Sequence, residues 1–329
     1  MTLRDVADEV GVSVATVSRV LNGRGDRRIS EGTRKQVLAA ARDLGYQPNP
    51  IARALVTGRT RMIGVAVPYV WYPFAPQVMH FVQEQAGPSG YGIVIQGAES
   101  DPQRYTLDLR AIVQQADGII AVERSGNLRA FLDEHGPDQV PVVSVGADVV
   151  AEVDWVLVDL APGARDAVRH LVASGCRRVA YLVPVPSQHE REPRRVAYDA
   201  VMGEVGAPPE HIVVPVGTRA AARQTLLSHV REHGLPDGLF CCNDVTAVGA
   251  YRALRDLGVQ LPADCALVGC DGIEGGEYLD APLSTIVQPI EEMCRLGCEF
   301  LLRRIKAPDT PPQTATLTAP LVIRESSRR

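Results

Sequence analysis

Across residues 62–271 the chain repeats one unit, a short apolar β-rich run followed by a stretch of helical periodicity. The runs are "MIGVAVP", "YGIVIQG", "DGIIAV" and "VPVVSVG", then "RVAYLVP", "HIVVPVG", "LFCCND" and "CALVGCD". Strands that alternate with helices pair in parallel, because each connection must cross a sheet face before the next strand begins. Two sets of four, divided near residues 155–159, imply two similar subdomains rather than one long sheet. Neither set carries G-x-G-x-x-G behind a strand, and G-x-x-x-x-G-K-[ST] is absent, so a dinucleotide or nucleoside-triphosphate enzyme has no support. No nucleophile with a base, metal-ligand set or cofactor motif has suitable spacing either, so no catalytic residue, metal or cofactor is assigned.

The residues ahead of this repeat follow another rule. Leu3, Val6, Ala7 and Val10 fall on one face of a first helix, Gly11 turns the chain, and Ser13 is placed to cap a second helix. On that second helix Val17, Val20 and Leu21 point back at the first. Val14, Ala15, Ser18 and Arg19 are left on the outer face, where the recognition helix of a helix-turn-helix meets base edges. Arg19 suits a bidentate pair with guanine, Val14 and Ala15 suit thymine methyls, and Ser13, Thr16 and Ser18 suit phosphates, with Asn22 closing the DNA-facing set. From the pattern alone, a plain helical hairpin with a solvated arginine is the alternative. A third helix starts at Ser30, turns Val37, Ala40, Ala41 and Leu44 inward, and closes at Gly45.

Next comes "YQPNPIARALVTG", in which Asn49 suits a cap, Pro50 the first helical position and Gly58 the stop. Isolated helices need roughly 12–15 residues, so this segment is expected to order only when something docks against it.

Charge separates the two regions. Residues 1–61 hold 11 Arg and Lys against 6 Asp and Glu, while residues 62–329 hold 23 against 33, so a basic head precedes an acidic body. A nucleic-acid-facing head on a body that does not bind DNA non-specifically is the simplest reading. No run of about 18 apolar residues occurs, and acids stand within the first ten positions, so a cytoplasmic protein with no membrane partner is expected. Seven cysteines without a C-x-x-C pair are expected to be buried and reduced.

Ligands in open α/β sheets sit beyond the carboxyl ends of strands. The polar and aromatic residues there are Trp71, Tyr72 and Phe74 after the first run, Asp159 near the middle division, Arg194 at the start of a helix, and Asn243, Asp244 and Asp271 at later strand ends. Carboxylate, amide and guanidinium give directional bonds to hydroxyls, and an aromatic face covers the apolar side of a sugar. Asp159 and Asp244 could equally cap a helix or turn, and Trp71 and Tyr72 could be rim or dimer-contact residues.

The stretches "TLRDVADEVGVSVATVSRVLN", "ISEGTRKQVLAAARDLGYQPNPIARAL" and "RTRMIGVAVP" resemble the DNA-binding head, hinge and first core strand of the lactose-repressor and galactose-repressor family of bacterial transcription regulators. The resemblance continues through "PFAPQV", "GARDAVRHLVASGCRRVAYL", "RRVAYDAV", "CCNDVTAVGAYRALRDLGVQLPADCALVGCDG" and "APLSTIVQP", nearly the whole chain. It implies an all-α helix-turn-helix head (residues 1–46), a hinge helix and linker (47–60), and an α/β core of the periplasmic-binding-protein type I architecture (61–329). That core would comprise two Rossmann-like subdomains, residues 61–158 plus 290–315 and residues 159–289 plus 316–329.

By the same resemblance, Val14, Ala15 and Arg19 read bases and Leu55 wedges into the minor groove. Arg194, Asn243 and Asp271 line the effector site, with Phe74 at a pocket position; Tyr72 and Asp159 complete the expected set. The implied protein is a homodimeric repressor, with tetramers left open. Its affinity for a pseudo-palindromic operator is allosterically controlled by a small molecule, a sugar or glycoside first and a nucleobase or other metabolite second. An exported solute-binding protein shares the core but lacks the basic head. The sequence departs from the family in a longer "GRGDRRIS" loop, in Leu160 where Asn is usual, in Gly272 where a second acid often follows Asp271, and in Cys176 for a frequent His. The second and third of these imply a roomier or less polar pocket than a monosaccharide site.

Overall fold

The computed structural model describes residues 1–21, 29–47, 49–67, 70, 72–97, 109–122, 125–136, 139–187 and 190–329. The chain forms two compact units, Met1–Arg61 and Met62–Arg329.

In the first unit, α1 (Leu3–Val10) opens with a capping box: Thr2 Oγ1 accepts from the Asp5 amide at 3.3 Å and Asp5 Oδ2 from the Thr2 amide at 2.7 Å. Gly11, at φ +71°, ends it in the left-handed conformation that glycine adopts without strain. Ser13 Oγ then accepts from the Thr16 amide at 3.2 Å to start α2 (Val14–Leu21). Ser30 does the same with Thr33 at 3.1 Å for α3 (Glu31–Asp43). Val6, Ala7, Val17, Val20, Val37, Ala40 and Ala41 close one small core, and the other residues that the spacing turns inward, Leu3, Val10, Leu21 and Leu44, are partly buried against it.

Asn49 Oδ1 accepts from the Ala52 amide at 3.3 Å to begin α4 (Pro50–Thr57), and Gly58 at φ +65° ends it. This segment is helical in the structure, whereas a helix of its length was expected to stay unordered without a docking partner. Its cap, first-turn proline and terminal glycine define it locally, and none of its described side chains is buried.

The second unit contains the strands β1 (Met62–Val67), β2 (Gly92–Gly97), β3 (Gly118–Val122), β4 (Val142–Gly146), β5 (Asp154–Asp159), β6 (Val179–Pro184), β7 (Glu210–Val214), β8 (Gly238–Cys241), β9 (Ala266–Asp271), β10 (Ser284–Val287), β11 (Thr314–Thr318) and β12 (Leu321–Val322). Its helices are α5 (Phe74–Ala86), α6 (Arg110–Val113), α7 (Ser125–His135), α8 (Ala161–Ala173), α9 (Pro193–Glu204), α10 (Arg219–His233), α11 (Asp244–Asp256) and α12 (Ile290–Lys306). The two sheets share one strand order: β2-β1-β3-β4-β5-β11 in the first and β7-β6-β8-β9-β10-β12 in the second. Only the pairing of β12 with β10 is antiparallel among the described ladders.

All eight expected runs are strands, but among the described residues each sheet has six strands rather than four. The division near residues 155–159 is itself a strand, β5, and β10, β11 and β12 complete the two sheets.

The chain passes between the sheets three times: from β5 into α8, from β10 into α12, and from β11 to β12. The boundary expected between residues 315 and 316 falls inside β11, so the third crossing lies beyond Thr318; the alternating "TATLT" strand shows no compositional break there. The crossings touch one another. The Val287 amide donates to the Pro320 carbonyl at 2.9 Å, and a Cβ on Gly163 would run into the Ala319 carbonyl oxygen. One apolar core continues through both sheets, from Ile63 and Val65 on β1 to Tyr181 and Val183 on β6 and Phe240 on β8.

Candidate functional site

In the first unit the outer face of α2 presents Val14, Ala15 and Arg19 exposed and Ser18 half-buried, while Val17 and Val20 are buried beneath them. Ser13 and Thr16 share a hydroxyl hydrogen bond of 2.9 Å at the start of that helix, so both lie at its positive end. A helix that displays small apolar side chains and an arginine next to its capped N-terminus can enter a major groove, with amides and hydroxyls left for phosphates. Asn22 lies outside the described residues. Leu55, on α4, is 83 % exposed, which in water leaves a full leucine side chain unburied.

The second unit builds its candidate site at the carboxyl ends of its strands. In each sheet the order reverses around one strand, β1 or β6, and a crevice forms beyond the carboxyl end at such a point. Tyr72 and Phe74 follow β1, Arg194 begins the helix after β6, Asn243 follows β8, and Asp271 ends β9.

Arg194 is the hub. Its Nε donates to Glu192 Oε1 at 2.6 Å, and its Nη1 donates to the Cys242 carbonyl at 2.7 Å with Cys270 Sγ at 3.8 Å, so one side chain ties α9 to the ends of β8 and β9. These bonds leave Nη2 to donate elsewhere. Asn243 Oδ1 caps α11 by accepting from the Thr246 amide at 2.8 Å, which leaves Nδ2 as a second donor. Asp271 is buried, with its backbone at φ +132°, a conformation that costs about 1–3 kcal/mol and persists where surroundings enforce it. Its Oδ1 accepts from Gln288 Nε2 at 2.9 Å. The Gln288 Oε1 is buried with no hydrogen-bond partner among the described residues.

Tyr72 reaches this group from the other sheet. Burial pushes its hydroxyl well above the ordinary tyrosine range, and the Asp271 charge pushes in the same direction. Phe74 and Leu160 are both buried members of the apolar core, and Leu160 puts an apolar side chain where the family resemblance leads one to expect an amide.

Two carboxylates are placed differently. Asp244 is fully buried: Oδ2 accepts from the Gly272 and Ile273 amides at 2.8 and 2.9 Å, and Oδ1 accepts from Thr285 Oγ1 at 2.7 Å. Burial raises its carboxyl, and the Thr285 hydroxyl and the two amides partly offset that rise. It is a clamp on the turn after β9. Asp159 Oδ1 accepts from the Ala161 amide at 3.0 Å, holding the turn into α8, and no described contact joins it to the Arg194 group. Trp71 lies outside the described residues.

Glu192 and Gln288 are not singled out by the sequence pattern. Glu192 does leave a trace there, since it precedes Pro193 as an N-cap precedes a first-turn proline. Burial alone would raise its carboxyl, but Arg194 and the Arg195 amide more than compensate and hold it below the ordinary range. Gln288, between β10 and α12, leaves no periodic signal.

All seven cysteines are free and buried, and burial raises the Cys242 thiol to about 11, so it is un-ionised and inert near neutral pH. Among the described residues no group of His, Cys, Asp and Glu is arranged to hold a metal ion, and no helix is long and apolar enough to cross a membrane.

Comparison with known proteins decides what joins these two sites. Residues 2–49 match the family model for bacterial regulatory proteins of the lacI family, and residues 168–327 match the periplasmic binding protein-like domain. The ribose operon repressor of Halalkalibacterium halodurans is 31 % identical over 99 % of this chain and 97 % of its own length. The chain belongs to the lacI family.

Solved structures of the family agree over its whole length. The lac repressor dimer bound to operator and the anti-inducer ONPF superposes with a TM-score of 0.85 at 26 % identity, covering 100 % of this chain and 99 % of that one. The complex of the transcriptional regulator CelR with cellobiose gives 0.70 at 27 % identity, covering 99 % of each chain. The fold is that of the family: a helix-turn-helix head and a two-sheet α/β effector core.

Proposed function

We propose that this chain is a transcriptional repressor that grips a pseudo-palindromic operator as a homodimer and answers to a small, hydroxyl-rich molecule held between its two sheets. The observation that carries the reading is the meeting of Tyr72, Arg194 and Asp271 at the facing strand ends of two sheets, in a chain whose other unit is a helix-turn-helix. Donors at Arg194 Nη2 and Asn243 Nδ2, acceptors at Asp271 and Gln288 Oε1, and the apolar side chains of Phe74 and Leu160 match the hydroxyls and apolar face of a sugar or glycoside. The relatives point the same way, one a ribose operon repressor and another a regulator in complex with cellobiose.

In this reading Val14, Ala15 and Arg19 contact bases, Ser13, Thr16, Ser18 and Asn22 fix the head to the phosphates, and Leu55 from each protomer wedges into the operator centre. The effector changes the angle between the two sheets, and the change is passed to the paired hinge helices. A coupling of about 1–3 kcal/mol alters operator affinity by roughly 5–150-fold. The protein works where the DNA is, in the cytoplasm, and as a regulator rather than an enzyme.

The test is selection of duplexes from a randomised library by the intact protein. A two-fold symmetric site should be enriched, and enrichment of no symmetric site would overturn the reading.

A further inference from the structure

The charge of the cleft narrows the ligand, given that the cleft is an effector site as proposed above. Arg194 is its described cation, and that charge is already answered. Glu192 Oε1 receives Arg194 Nε at 2.6 Å, and the two side chains are only 13 % and 3 % exposed. The Glu192 carboxylate cannot swing away, because Oε2 accepts from the Arg195 amide at 2.8 Å and from Tyr181 Oη at 3.1 Å. Asp271, a second carboxylate, stands in the same wall and acts on the Tyr72 hydroxyl.

An anion brought to Arg194 therefore meets one guanidinium and two carboxylates. In a buried site, that leaves its charge desolvated and uncompensated. A neutral polyol meets no such penalty and still finds a donor at Arg194 Nη2.

We propose that Glu192 sets the charge class of the effector: by neutralising Arg194 it restricts the cleft to uncharged, hydroxyl-bearing ligands and excludes phosphorylated or carboxylate-bearing ones. Glu192 is thus a specificity-determining residue that acts through Arg194.

Inorganic phosphate and ribose 5-phosphate, titrated into the full-length protein by calorimetry, test this. The wild type should show no phosphate binding that depends on Arg194. Glu192→Gln should gain it, strengthening phosphate affinity by about tenfold or more, and the added Arg194→Ala change should remove the gain. Phosphate held by the basic head would persist in Arg194→Ala and is thereby separated. If Glu192→Gln does not fold, Glu192→Ser keeps a helix-capping oxygen and serves in its place. Arg194-dependent binding of phosphate or ribose 5-phosphate to the wild type overturns the proposal, and so does a folded Glu192 variant without the gain. A panel of neutral sugars that leaves operator affinity unchanged would count against the effector reading while leaving the phosphate result intact.

Discussion

Gln288 Nε2 donates to Asp271 Oδ1 at 2.9 Å, and the Gln288 amide donates to the Asp271 carbonyl at 3.3 Å. Gln288 stands where the chain leaves β10 for α12, so the carboxylate proposed to hold the ligand is bonded directly to one of the three segments of chain that join the two sheets. A ligand that pulls on Asp271 pulls on a crossing.

Replacing Asp271 by alanine should therefore separate the two activities. Ligand hydroxyls and the Gln288 amide lose their acceptor, at a cost of about 1–3 kcal/mol in ligand affinity, while operator binding without ligand persists. Calorimetry with a sugar that binds the wild type checks this, and unchanged affinity would exclude Asp271 from the site.

Arg19→Ala should cost about 1–3 kcal/mol in operator affinity and relax preference at one symmetric pair of positions. The measurement is anisotropy with operator variants at fixed salt. A uniform loss across all variants, with an altered salt slope, would instead assign Arg19 to phosphates.

Leu55→Ala should abolish operator bending and weaken specific binding far more than non-specific binding. Unstacking a base step costs a few kcal/mol and a buried leucine returns about 1.5–3 kcal/mol, so both leucines and the hinge contacts are needed. Since α4 is eight residues long with no buried side chain among those described, its amides should exchange quickly in the free protein and slowly on operator. Undiminished bending in the variant, or full protection without DNA, speaks against the wedge.

Asp244→Ala should destabilise the core by about 2–4 kcal/mol, because two buried donors and one half-buried donor lose a charged acceptor at once. Thermal melts read this directly. A loss under about 0.5 kcal/mol, typical of an exposed site, would mean that the clamp on Gly272, Ile273 and Thr285 is not what holds the turn.

The Glu192 carboxyl is held below its ordinary 4.5, chiefly by Arg194 acting against burial. A lowered folded-state value stabilises the fold above the ordinary value and loses that contribution as pH falls through the lowered one. The stability gap between wild type and Glu192→Gln should be flat from neutral pH down to about 4.5 and close below it. A gap that widens in acid would contradict the pairing.

The inward registers of α1, α2 and α3 and eight parallel strands are legible in the sequence because each has a regular apolar period and a capping or turn residue at its end. The remaining strands lack that signal. β11 alternates exposed threonines with half-buried residues, and β12 is two residues long, so only pairing to β5 and β10 defines them. Arg194, Asn243 and Asp271 could be named from strand ends, but the bonds that orient them come from Glu192 and Gln288. The first is a helix cap and the second a crossing residue, and their contacts span 2 and 17 positions without any repeat to betray them.

The most direct test of the account is the operator dissociation constant of the intact protein, measured at one salt concentration with and without a saturating neutral sugar that binds the wild-type cleft but not Asp271→Ala. The account predicts a change of roughly 5–150-fold in the wild type and none in Asp271→Ala. An operator affinity indifferent to a ligand that demonstrably fills the cleft would contradict it.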